Sequence, residues 1–229
     1  MFLAACLVLW IVRQFVATQY TLPRDTAAGG MLPGDHVLVS KTAYGARLPF
    51  PGLFDCRRIG YRRPGRGDIV AFNLPTDTLH SIPDRRVCMA QSFALPGDTV
   101  WLSAKMAVSA KPAKGALPFV VPGRGTRVSV TRWNARLLCN TVNLHEPCHT
   151  AEMKGDTLLI DGHTTTYVAF TQDYFWMYSG RQGDLGDSRT YGLVPQSHLV
   201  GKGVMILFST RPFAPLNRSL RAGRFFKQL

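Results

Sequence analysis

The sequence predicts a mostly β fold: an antiparallel β-sheet core beyond an N-terminal transmembrane anchor, with an inserted β-rich subdomain. Three observations predict it. Short apolar and β-branched runs are fenced by Pro and Gly. The N-terminus opens with an uninterrupted apolar stretch. The middle of the chain loses the regular strand rhythm and becomes rich in Lys, Thr and Pro.

The strand runs come first. His36-Val37-Leu38-Val39, Ile69-Val70-Ala71-Phe72, Thr99-Val100-Trp101-Leu102, Thr157-Leu158-Leu159-Ile160 and Val204-Met205-Ile206-Leu207-Phe208 are each four or five residues long. Turn chemistry bounds them: Pro33-Gly34-Asp35, Pro64-Gly65, Arg66-Gly67-Asp68, Pro96-Gly97-Asp98 and Gly155-Asp156. Short runs between such turns indicate antiparallel sheet. No convincing helical period is read between Thr26 and Ser209.

Residues Phe2 to Val12 are uniformly apolar, Arg13-Gln14 interrupt, and Phe15-Val16-Ala17 resume. Eleven helical residues rise about 16 Å, against roughly 30 Å of hydrocarbon. Continued to Ala17 the run nearly spans, with Arg13 snorkelling to an interface. The positive n-region of a cleaved leader is absent, which favours an uncleaved anchor. The tail carries Arg218, Arg221, Arg224 and Lys227 at every third residue beside Leu220, Phe225 and Phe226. That spacing predicts a basic amphipathic helix at an anionic membrane surface. The expected organisation is an anchor at 1–20, a first part of the core at 21–102, the insert at 103–168, the closing part of the core at 169–212 and the tail at 213–229.

Composition narrows the function classes. The 229-residue chain has 27 basic against 14 acidic residues, a net charge of +13. Such a balance suits anionic partners, yet no finger, aromatic-basic sheet signature or phosphate loop points to nucleic acid. The basic residues are dispersed, which favours lipid. The five cysteines, Cys6, Cys56, Cys88, Cys139 and Cys148, show no metal-ligand spacing, so no metal is expected. Cys139 and Cys148 flank a polar loop and are open to pairing or to remaining free thiols. No cofactor is implied.

Five segments in order resemble the type I signal peptidase family. They are Tyr20-Thr21-Leu22-Pro23 at the anchor exit, Gly34-Asp35 through Ser40-Lys41 with Tyr44-Gly45, Arg66-Gly67-Asp68 through Phe72, Ala94 through Asp98, and Asp187-Ser188-Arg189 with Tyr191-Gly192 and Gly201-Lys202. Each is weak alone; together, in order, they cover nearly the whole chain. The resemblance implies a Ser nucleophile with a Lys base, cutting signal peptides at the outer face of the membrane. A Ser hydroxyl needs a neutral base within reach, and a Lys serves when burial lowers its pKa.

Carried over residue by residue, the resemblance puts each catalytic position in doubt. Counted back from Asp35, the nucleophile position holds Thr26 and the oxyanion-hydroxyl position Arg24. Eight residues before Asp98, where the family has its Lys, stands Ala90. The Lys-orienting Ser position holds Leu185, whereas the scaffold residues Asp187 and Arg189 remain. The expectation is therefore an inactive or impaired member: a single-pass protein of the cytoplasmic membrane with its globular domain on the outer, periplasmic side. Its expected partners are signal peptides or precursor proteins, anionic membrane and an active signal peptidase paralogue. The alternative is an endopeptidase that attacks through Thr26, with Asp25, His36 or His80 as relocated base. An unrelated basic β protein would leave the ordered motifs unexplained.

Overall fold

A computed structural model describes residues 6, 12–22, 29–48, 58–103, 108–112, 114–180, 183–184, 186–211, 214 and 219–229. The core is an eight-stranded antiparallel sheet. Its strands are β1 (Ala17–Thr21), β2 (Asp35–Ser40), β3 (Ile69–Asn73) and β4 (Val87–Ala94). Past a hairpin pair, β5 (Thr99–Ser103) and β6 (Ala116–Val120), and a second pair, β7 (Ala151–Lys154) and β8 (Thr157–Ile160), the chain returns. It then adds β9 (Tyr174–Tyr178), β10 (Val194–Pro195), β11 (Leu199–Ser209) and β12 (Lys227–Gln228). Across the main sheet the order is β1-β2-β11-β3-β4-β9-β10, with β12 paired to β11.

The predicted mostly β, antiparallel character is therefore observed. The alternation in β2 explains why it is a strand: Asp35, Val37 and Val39 are buried while His36, Leu38 and Ser40 are partly exposed, the period of a half-buried strand. β3 is buried at all five positions, as fits a strand flanked by β11 and β4. Val37, Val39, Ile69, Val70, Phe72, Ala90, Phe175 and Ile206 share one apolar cluster. A second cluster gathers Val100, Phe119, Leu138, Leu158, Phe170 and Trp176, reaching from the hairpins onto β9.

Three x-Gly-Asp turns are built alike. Gly34, Gly67 and Gly97 have φ of +85°, +88° and +92°, the third position of a type II turn that glycine fills without steric cost. In each, the Asp amide donates to the carbonyl three residues back: Leu32, Gly65 and Leu95. Each Asp carboxylate accepts the amide of that same residue, at 2.7, 2.9 and 2.7 Å respectively. A cation then covers each acid: Arg224 at Asp35, Lys202 at Asp68 and Arg66 at Asp98.

Two expectations are corrected. Ala135–His145 is an α-helix, α1, where no helix was expected. Its buried residues, Ala135, Leu138, Cys139, Val142 and His145, do recur at helical spacing, but Cys, Thr and His dilute the apolar signal. The tail, in its described part, is no helix of several turns. Arg221 precedes one 3₁₀ turn at Ala222–Arg224, and the chain then runs into β12. Of the four basic residues, Arg221 and Arg224 turn to Asp35 in the core, Lys227 is exposed on β12 and Arg218 lies outside the described residues. Cys88, Cys139 and Cys148 carry free thiols, with Cys139 buried in α1 and Cys148 exposed; Cys56 lies outside the described residues. Among the described residues no helix is long and apolar enough to cross a membrane; half of the predicted anchor at 1–20 lies outside them, and its last residues, from Ala17, belong to β1 rather than to a helix.

Candidate active site

Position 90 lies in the centre of the sheet. Ala90 faces Val70 across the β3–β4 ladder and is fully buried. Pairing of β4 with β9 runs from Ala94 only as far as Gln91. Beyond that point the loop before Asp187 takes the place of a strand. A Cβ on Gly186 would meet the Met89 carbonyl at 2.8 Å and the Ala90 Cβ at 3.6 Å. The backbone approach there is close enough to require glycine.

An acid stands beside this position that the sequence reading did not single out. Asp184 is buried, accepts the Gly186 amide at 2.9 Å, and lies 3.6 Å from the same Gly186 Cβ point as Ala90. Cys88, two residues before Ala90 on β4, is buried too. Burial pushes its thiol up to about 12 despite the charge of Arg86, with Asp184 adding to the rise. A thiol so protonated is no nucleophile at neutral pH.

Asp187 and Arg189, expected to act as scaffold, are joined in the structure. Asp187 caps the short helix α2 (Ser188–Tyr191) by accepting the Arg189 amide, the role an Asp plays at an N-cap. Arg189 closes a two-pronged salt bridge on Asp187, Nε to Oδ1 at 2.8 Å and Nη2 to Oδ2 at 2.9 Å. Asp187 also accepts from the Ser179 amide and hydroxyl. Burial alone would raise its pKa; the Arg189 and backbone donors outweigh it and hold the carboxyl below its ordinary value. Ser188 Oγ accepts the Met177 amide at 2.8 Å, locking the closing segment to β9.

A second network joins three motif segments. Lys202 Nζ donates to Asp68 Oδ1 at 2.7 Å, and Tyr44 donates its hydroxyl proton to Asp68 Oδ2 at 3.1 Å. Lys202 shares register with Val70, which in turn faces Ala90. It is thus one strand removed from position 90, with its amine engaged by Asp68.

Arg24, Asp25, Thr26 and Leu185 lie outside the described residues. His36 stacks on Phe208 with ring centroids 4.0 Å apart. Its Nδ1 is 2.7 Å from Gln19 Nε2 and 3.1 Å from Thr21 Oγ1. Desolvation holds its pKa below the ordinary value, though Asp35 opposes this. His80 turns its Nδ1 to Asp77, 3.0 Å away, in an exposed loop.

The comparison with known proteins decides the family. The family model described as "Signal peptidase, peptidase S26" matches residues 1–208. The chain belongs to the signal peptidase family. It is similar to signal peptidase I of Pseudomonas aeruginosa, 25% identical over 218 residues, covering 91% of this chain and 70% of that protein. Signal peptidase I of Buchnera aphidicola subsp. Baizongia pistaciae is 23% identical over 240 residues, covering 90% and 74%. That of Pseudomonas fluorescens is 30% identical over 99 residues, 43% of this chain and 32% of that protein. As a type I signal peptidase the chain is divergent.

Proposed function

We propose that this signal peptidase relative binds the extended ends of signal peptides without cleaving them. The observation that carries the reading is Ala90. It stands in a fully buried place where the family has its base, with Gly186 closed over it. An apolar methyl can neither take the proton of a hydroxyl nucleophile nor hold an oxyanion. Thr26 at the nucleophile position is itself β-branched and crowded for attack.

Peptide binding does not need the base. An extended peptide gains affinity by adding a strand, with small side chains filling pockets. Cys88 to Ala90 have β3 on one side and, among the described residues, the Gly186 loop rather than a strand on the other. We assign the peptide to this stretch, which it would enter by displacing that loop. The apolar N-terminal run would anchor the chain in the cytoplasmic membrane with the domain on the outer side. The net charge of +13 favours anionic lipid there, and an active signal peptidase is the fitting partner to receive bound precursors.

A second reading has one observation in its favour. Asp184 places a buried carboxylate beside position 90, and with Thr26 it would supply a relocated acid–base pair. The two readings separate in a binding experiment with the full chain in detergent. A fluorescent signal peptide should bind saturably, and bulky residues at its pocket-filling positions should weaken it. Asp184→Asn should leave binding and the intact peptide unchanged. No saturable binding would refute the proposal.

A further inference from the structure

The C-terminal segment closes onto the loop that follows the nucleophile position. Arg224 donates from Nε to Asp35 Oδ1 at 3.0 Å and from Nη2 to both Asp35 Oδ2 and the Gly30 carbonyl, the latter at 3.0 Å. Arg221 donates to the Pro33 carbonyl at 2.9 Å and to Ser209 Oγ at 2.7 Å. Asp35 is fully buried, and the Arg224 side chain is 14% exposed.

Tail and loop are each seated independently. The Arg221 amide donates to Ser209, the Phe226 amide to Leu207 and the Leu229 amide to Val204, and Leu229 packs on the main apolar cluster. Met31, inside the loop, is 1% exposed and belongs to that cluster. Gly34, at the loop's end, abuts the Thr210 carbonyl so closely that a Cβ would overlap it.

The sister turns set this one apart. The cations on Asp68 and Asp98 have side chains 41% and 54% exposed, where an ion pair is screened and weak. The pair at Asp35 is buried, two-pronged and drawn from a segment 189 residues away in sequence. Such a pair fixes geometry, and removing one partner leaves a buried charge uncompensated.

We propose that Arg224, with Arg221, is a positioning residue: the tail is a clasp that holds residues 29–35 in place, and through them the mouth of the peptide groove. Peptide affinity then depends on a side chain that never touches peptide. This rests on the peptide-binding reading above, so the test has one arm that does not.

Full-length wild type, Arg224→Gln, Arg224→Lys, Arg221→Gln and the exposed-site control Lys227→Gln are compared in detergent. Amide hydrogen exchange, melting temperature and affinity for a signal peptide are measured. For Arg224→Gln, exchange at residues 30–35 should speed up by about tenfold or more, as a local opening does. Peptide affinity should fall about tenfold while exchange in β3 and β4 holds. Arg224→Lys should recover part of this, since a point charge cannot reproduce the fork. Arg221→Gln should show a smaller change of the same kind, and it serves if Arg224→Gln does not fold. Unchanged loop exchange, or faster exchange spread evenly over the sheet, would overturn the clasp. A wild type that binds no peptide while the loop responds as stated would sink the peptide-binding reading and leave the clasp standing.

Discussion

Gly186 lies against the carbonyl of Met89, and a side chain on it would collide with that oxygen at 2.8 Å. This contact closes over Ala90, the position at which we propose that the base is missing. Ala90→Lys would bury an amine in an apolar cluster, where it is stable only if neutral or paired. We expect a cost of at least about 2 kcal/mol and no gain of cleavage, because Thr26 and Arg24 remain. Denaturant unfolding with a precursor assay checks both; an Ala90→Lys protein of unchanged stability would contradict the packing described.

Gly186→Ala should be costly for the same reason, since the obstacle is backbone that cannot move aside. The expected loss is about 1–3 kcal/mol. Gly97→Ala is the comparison: its Cβ would meet nothing within 4 Å, so what it loses is the freedom to hold φ at +92°, a cost of about 1 kcal/mol. Melting curves of the pair order the two effects.

The acids of the turns and the scaffold should rank by burial. Asp187 is fully buried with Arg189 forked upon it, and Asp187→Asn should cost about 3 kcal/mol by leaving Arg189 uncompensated. Asp98 is 28% exposed and its Arg66 partner 54% exposed, so screening reduces that bridge to about 1 kcal/mol or less. Added salt should weaken the Asp98 contribution and leave Asp187 nearly unchanged.

Acid should loosen α1 from the core before the carboxylates titrate. His145 on α1 and His198 lie 5.1 Å apart, edge to face. Arg85 Nη1 is 2.8 Å from His198 Nε2, and Arg47 also raises the local positive charge. Burial first, then the neighbouring cations, lower His145 to about 4 and His198 to about 2. Both values are depressed below the unfolded one, so each ring stabilises the fold while neutral. That stability is present above about pH 6.5 and drains away as pH falls toward the folded values, by about 2–4 kcal/mol between pH 7 and pH 5. Asp35, Asp68 and Asp187 are lowered from 3.8, so their contribution is present above that value and is lost only below it. Melting temperature measured against pH should fall between pH 7 and 5, and His145→Leu should flatten that limb.

Thiol labelling should sort the cysteines. Cys148 is exposed and should react in the native state, whereas buried Cys88 and Cys139 should react only on unfolding. Recovery of Cys139 and Cys148 as a bonded pair would contradict the free thiols seen here.

The strands and the turns were legible because their signals are local. Pro33-Gly34-Asp35 and its two sisters encode φ, the amide acceptor and the reversal within four residues. What was not legible depends on distance in sequence. Nothing near Arg224 announces that its partner is Asp35, so its spacing from Arg221 resembled a helix face. The helix at Ala135–His145 hid because Cys139, Thr141 and His145 supply its buried positions in place of strong apolar residues. Asp184 was not legible because the closing motif leaves its position unspecified. Its nearness to Ala90 appears only when the loop folds over β4.

The most direct test of the central claim is cleavage itself. Full-length protein in detergent is incubated with a signal-peptide-bearing precursor beside Thr26→Ala, and the products are read by mass spectrometry. The account predicts intact precursor with both proteins and binding that persists in both. Cleavage by the wild type that disappears in Thr26→Ala would contradict it, make Thr26 the nucleophile, and turn the search for a base to Asp184, Asp25, His36 and His80.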